Sequence, residues 1–288
     1  MLLQQIVSGL GVGCVYALVA LGFVLIYKTT EVLNFAQGEI MMLGAFMAFT
    51  FISILKLPFL LSLIFAIAFM ALFGLVMERL FLRPLIGEPV FALAMMTVGL
   101  SVILRSIAGM VWTHESLRFP TVFSDKPVEI LGTVIAPVNL WIIVTTVGLV
   151  IVLGLFFKFT NLGIAMRACG LNQLATLYMG ISIKRTFTIT WALSSAVAAV
   201  AGILLAPIIF LNTNMGFVGL KAFPAAVLGG FGSVPGAIVG GIIIGVSENL
   251  AGIYLPRGFK DVFAHVVLIV VLLVKPTGIF GMPEHKRV

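Results

Sequence analysis

The sequence predicts an all-α, polytopic transmembrane helical bundle of about eight spans with a broken or re-entrant Gly-rich segment. Composition is the first reason. Of 288 residues, 61% are hydrophobic and 9% charged, with a mean hydropathy of +1.25; soluble domains carry about 45–50% apolar and about 25% charged residues. The second reason is length. A helix needs about 20 apolar residues to cross roughly 30 Å of hydrocarbon, and runs of that order recur along the chain. The third is how the charge is spread. The 17 Lys and Arg are spread along the chain, never more than two together, so no basic stripe exists for a nucleic acid. A water-soluble enzyme and a disordered tail are excluded with it, and the net charge of +7 fits a membrane protein that keeps cations on one side.

Taken in order, the spans fall at residues 6–27, 40–57, 59–80, 90–112, 138–157, 187–211, 237–254 and 262–274. The first lacks a basic flank, so it reads as a retained span and not as a cleaved signal. A shorter apolar piece, 222–231, is flanked by Gly and Pro. Backbone of that kind is tolerated at membrane depth only under protein or water, which suggests a half-helix. One set of loops holds Lys28, Arg79, Arg83, Lys158, Arg167, Lys184, Arg185, Lys275, Lys286 and Arg287. The other side holds Lys56, Arg118, Lys126, Lys221, Arg257 and Lys260, with Arg105 close by and expected to snorkel outward. The first set is therefore cytoplasmic, with the N-terminus outside and the C-terminus inside if 222–231 completes a crossing. Trp112 and Trp141 would then flank an outer loop, 113–137, at the membrane interface.

The inner loop, 158–185, contains a short helix. Asn172 is a suitable N-cap, Gly180 stands where a left-handed C-terminal cap is needed, and Leu174, Leu177 and Tyr178 share a face between them. So short a helix requires a packing partner, which is either the inner ends of the spans or a soluble protein. Cys14 and Cys169 read as packing residues.

Polar residues within apolar spans are costly and mark candidate sites. Glu39 begins a span, where its charge favours a helix N-terminus or meets a permeation path. Asn34 and Gln37 precede it, as caps or cavity lining. Glu248 and Asn249 lie well inside a span and suit a subunit interface, a pair with Lys260, or the pathway. Gly236/Gly240 and Gly241/Gly245 repeat at the spacing of close helix contacts. The break around Gly229, Gly230, Gly232 and Ser233 offers backbone polar groups to a substrate cavity as the alternative. No residues stand at catalytic or metal-ligand spacing; His114 and His265 are isolated.

Four segments carry a resemblance. Leu174-Ala175-Thr176, three residues, then Gly180 is similar to the Glu-Ala-Ala…Gly coupling loop of ABC importers, without its acidic residue. Asn34-Phe35-Ala36-Gln37-Gly38-Glu39 with Met42-Leu43-Gly44-Ala45, the stretch Lys221 to Ala237 containing Gly229-Gly230-Phe231-Gly232-Ser233, and Lys275-Pro276-Thr277-Gly278-Ile279-Phe280-Gly281 resemble the LivH-type permeases of branched-chain amino acid ABC importers. The resemblance implies a single permease domain over 1–288 that is a transport subunit and not an enzyme. Its implied partners are a second permease (LivM-like, or a copy of itself), two cytosolic ATPases, a periplasmic substrate-binding protein and membrane lipid. It further implies a bacterial inner-membrane location, and Leu, Ile and Val as cargo. Relatives moving urea, short amides or aromatic acids leave that cargo open, and a stand-alone channel or secondary carrier is the remaining alternative. The sequence has no GxxxxGK[ST] phosphate loop, so no cofactor is expected on this chain, with ATP and Mg on the partner ATPases. Coupling to them falls to Arg167, Asn172, Leu174, Ala175, Thr176, Leu177 and Gly180.

Overall fold

The structure, a computed structural model, describes residues 2–120, 128–130, 133–256 and 258–281. Lys126, Arg257, Lys286 and Arg287 lie outside the described residues. The helices are α1 (Leu2–Thr30), α2 (Gln37–Phe49), α3 (Phe59–Met77), α4 (Val90–Val111), α5 (Pro137–Phe159), α6 (Asn161–Leu171), α7 (Gln173–Tyr178), α8 (Ile183–Ile209), α9 (Phe217–Gly229), α10 (Val234–Tyr254) and α11 (Phe259–Val274). Wider-pitched turns extend α2 through Thr50–Ile54 and α3 through Glu78–Leu82. Proline starts several of them: Pro58 and Pro89 sit at N-caps, and Pro137 and Pro235 occupy the first turns of α5 and α10. At these positions a missing N–H costs nothing and the fixed φ suits the helix.

Among the described residues, seven helices are long and apolar enough to cross a membrane, and Val262–Val274 is a shorter apolar one. These are the eight expected runs. The outer loop adds a small antiparallel hairpin, β1 (Val128–Ile130) with β2 (Thr133–Ile135), in which Val128 faces Ile135. Leu117 of the same loop bridges to Leu211. Trp141, in the first turns of α5, is exposed. Trp112 departs from the expected interfacial place: its Nε1 donates to Thr50 Oγ1 at 2.7 Å and its ring stacks on Phe46, so it is a packing residue.

Buried apolar area decides the layout. In the α1 span 89% is buried, against 17% in α5 and 22% in α3 and α4. A helix that is apolar all round belongs in the centre of a bundle, and α1 is the central pillar, wrapped by α8, α9, α10 and α5. Small residues permit the closest of these approaches. Gly241 lies on Ala17 and Gly245 on Gly13, while Gly236 and Gly240 lie on Gly229 and Ala225 of α9. The two Gly pairs of α10 therefore serve two different neighbours, and backbone contact of this kind drives association where the hydrophobic effect is absent.

The broken segment has two parts. From Leu211 the chain passes through a tight 3₁₀ turn, Thr213–Gly216, into α9, and then to Phe231, whose ring meets Tyr27 near the end of α1 at 4.9 Å. Residues 211–231 thus run from the outer loop to the opposite end of the bundle, and the start of α1 and the end of α11 lie at opposite ends of it, as expected. A second break falls just ahead of Glu39, as the sequence suggested, but deeper than the sequence indicated. Residues 31–36 leave the end of α1 without helical structure, and Gln37 begins α2 against Gly22. Eight residues at 1.5 Å each put this start about 12 Å inside the bundle.

Candidate functional site

The two breaks meet. Glu39, in the first turn of α2, ion-pairs with Arg105 of α4, and Gly216 abuts the Glu39 carboxylate, with no room for a Cβ. The Arg105 guanidinium also lies over the Phe217 ring, 4.0 Å from its centroid. Arg105 does not snorkel outward. A carboxylate within reach offsets the cost of a lone cation in hydrocarbon, and the acid is only 4% exposed against 31% for the base. Beside this pair, Asn34 Oδ1 accepts from Ala36 N at 3.1 Å and Asn34 Nδ2 donates to Gln37 Oε1 at 3.2 Å. Ser194 Oγ donates to Gly22 O at 2.9 Å and lies 3.3 Å from Gln37 Oε1. Thr97 Oγ1 accepts from Phe35 N at 3.2 Å. Asn34 and Gln37 therefore secure the entry to α2 and are fully buried, with Gln37 Nε2 left without a partner.

Glu248 forms a second buried polar group. Tyr16 OH donates to one of its oxygens at 2.7 Å and Lys221 Nζ pairs with the other at 3.2 Å. Lys221 is thus part of α9 and not of an outer loop. Lys260, the expected partner of Glu248, reaches Asn249 Oδ1 at 3.4 Å, and Asn249 Nδ2 donates to Gln5. Asn214, Phe217 and Leu220 are exposed along one face of the α9 segment, with half-buried Lys221 beside them. This polar and aromatic strip runs next to Arg105. Sequence reading missed Tyr16, Arg105, Lys221 and Phe217 as members of these groups.

The Gly-rich break lies at the inner end. Gly230 has φ +96°, a conformation glycine reaches without strain. The carbonyls of Leu228 and Gly229 accept from Ile279 and Phe280 N–H at 2.8 and 3.2 Å, so the C-terminal tail covers them. Ser233 caps α10 by accepting from Gly236 N at 3.1 Å, and Gly232 borders open space.

The segment 158–185 contains two helices, one more than expected. Thr160 caps α6, accepting from Gly163 N at 3.0 Å. Asn172 Oδ1 accepts from Ala175 N at 3.0 Å, the N-cap of α7. Gly180 has φ +81°, and paired bonds from Gly180 N to Leu177 O (2.9 Å) and from Ile181 N to Thr176 O (3.2 Å) close the helix. Thr176 faces inward and is buried. Leu174, Leu177, Tyr178 and Met179 are 63%, 52%, 85% and 81% exposed. Exposed Arg167 lies on α6, and Gln173 Nε2 donates to Thr29 O at 3.4 Å, tying the pair of helices to the end of α1. Among the described residues no cluster of His, Cys, Asp and Glu is placed to hold a metal.

Comparison with known proteins adds the family. The profile described as branched-chain amino acid transport system / permease component matches residues 5–272. The high-affinity branched-chain amino acid transport system permease protein LivH of Salmonella typhimurium is 34% identical over 99% of this chain and 97% of its own. The corresponding permease protein BraD of Pseudomonas aeruginosa is 36% identical over 99% and 98%. A solved structure of PsaBC from Streptococcus pneumoniae in complex with Fab aligns with TM-score 0.51 at 13% identity, over 96% of this chain and 92% of that one, a likeness of fold alone. With a match across nearly all its length, and the helical bundle to go with it, this chain belongs to the permease-component family of branched-chain amino acid transport systems.

Proposed function

We propose that the chain is the passive half of an importer for Leu, Ile and Val, moved by ATPases that grip α7. The observation that carries this reading is the apolar knob of Leu174, Leu177, Tyr178 and Met179, held outside the spans on a helix capped at both ends. An unpartnered apolar surface of this kind marks an interaction site. In this reading the coupling segment 158–185 takes up closure of two cytosolic ATPases, with Asn172, Leu174, Ala175, Thr176, Leu177 and Gly180 as its contact and capping residues and Arg167 on the adjoining α6. ATP and Mg stay on those partners, and this chain binds no cofactor.

The path runs along the α9 strip, where Arg105 and Lys221 reach a surface at membrane depth. Lipid disfavours such a face, so a second permease, LivM-like or a copy of this chain, covers it. Glu39, Glu248 and Asn249 set the electrostatics of that seam. Asn34 and Gln37 hold the α2 entry in place, and Gly229, Gly230, Gly232 and Ser233 shape the inner exit. A periplasmic binding protein delivers cargo at the outer loop, 113–137, and the residues act as one permease domain. A secondary carrier needs free carboxylates for ion coupling, whereas Glu39 and Glu248 are both ion-paired. Affinity purification of the tagged chain from its native membrane tests the reading. ATPase subunits and a second permease are expected to copurify in stoichiometric amounts, and recovery of the chain alone from a membrane with active uptake would overturn it.

A further inference from the structure

A cavity of about 380 Å³ opens at the inner end of the bundle, between the ends of α1 and α5, the α6 helix, and the start of α10. Lys28 and Arg167 line it together with Ser233, and its deeper wall is apolar: Leu25, Gly154 and Phe157. The two cations are near enough to act on one another electrostatically, and no carboxylate lines the cavity. Among the described residues neither cation has an ion-pair partner. Like charges are brought together here by packing, since Gly170 of α6 lies directly on the backbone and Cγ of Lys28. The N-terminus of α10, with no acidic residue in its first turn, adds partial positive charge to the same wall.

Two cations with no ion-pair partner among the described residues, beside a helix N-terminus, call for an anion. The apolar wall, which includes exposed Gly154 of the α5 span, calls for a chain. Basic pockets between helices on the cytoplasmic side suit anionic lipid headgroups. We propose that this cavity binds an anionic phospholipid of the inner leaflet, with its phosphate between Lys28 and Arg167 and the head of an acyl chain against Leu25, Gly154 and Phe157. A lipid seated there bridges α1, α5 and α6, and so holds the base of the coupling segment to the central pillar.

The test is lipid binding to the purified full chain in neutral detergent, read by native mass spectrometry with phosphatidylglycerol, phosphatidylcholine and inorganic phosphate as separate probes. Phosphatidylglycerol should bind more tightly than phosphatidylcholine, and inorganic phosphate should neither bind measurably nor compete at equal concentration. Lys28→Gln with Arg167→Gln should weaken phosphatidylglycerol about thirtyfold, from roughly fivefold per basic residue. Gly154→Leu fills open space in the wall and leaves both cations in place; it should weaken the lipid as well. Lys184→Gln with Arg185→Gln, exposed on the same side, should leave binding unchanged. Equal binding by the Lys28/Arg167 variant, equal loss in the Lys184/Arg185 variant, or competition by free phosphate at lipid concentrations would each overturn the proposal.

Discussion

At the scale of single residues, the carboxylates were visible in the sequence and their partners were not. Glu39 and Glu248 stand out because an acid in an apolar run is expensive. Arg105 is 66 positions from Glu39, and Tyr16 is 232 positions from Glu248, and no local pattern announces contacts that distant. Removing one member of a buried pair leaves the other charged and alone, at a cost of about 3 kcal/mol. Arg105→Leu is therefore expected to lower the unfolding temperature in detergent, and adding Glu39→Gln to it should restore most of the loss. A single variant as stable as the parent would remove the pair from the account. Cys169 shows the same concern for burial outside the spans. Burial pushes its thiol pKa up, opposed more weakly by hydrogen bonds with Thr186 and Thr176. A raised pKa keeps the neutral thiol at pH 7–8, about where an exposed cysteine begins to ionise. Maleimide labelling of Cys169 in the folded protein should be slow at pH 7 and rise only in denaturant; rapid labelling without unfolding would contradict this placement.

At the scale of elements, caps were the most legible feature. Asn172 and Gly180 bracket α7 as their chemistry requires. The neighbouring α6 was hidden, since Gly163 and Gly170 lower its intrinsic preference for helix, and its stability comes from packing on α1, α5 and α8. The start of α2 was legible to within a few residues, since Glu39 was read as beginning a span; its depth beside Gly22 of α1 was not. For α7 two changes separate fold from coupling. Ala175 is exposed at the third helical position, where an acid suits the dipole, so Ala175→Asp should leave the helix intact while placing a charge inside the proposed ATPase contact. Gly180→Pro removes the positive φ and the closing N–H. Both variants should insert normally and lose ATP-dependent uptake at least about tenfold. Normal uptake in both would take α7 out of the mechanism.

At the scale of the molecule, composition predicted the bundle, because spanning a bilayer leaves few other choices for backbone hydrogen bonds. It could not show that two interrupted crossings meet around Glu39 and Gly216, which is a matter of which helices pack together. The result is a central helix, α1, tied at one end to α6 and α7 through Gln173 and Gly170, and in contact along its length with α9 and α10. Under the proposed function, this tie passes a displacement at α7 to the helices that border the α9 strip, the rigid-element shift a two-state importer requires.

Leucine uptake into vesicles reconstituted with the chain, its second permease and binding protein, with and without the ATPase subunits, tests the central claim most directly. Uptake should appear only with the ATPases and hydrolysable ATP, and should vanish with Ala175→Asp. Equal accumulation by vesicles lacking the ATPases would contradict a permease that has no drive of its own.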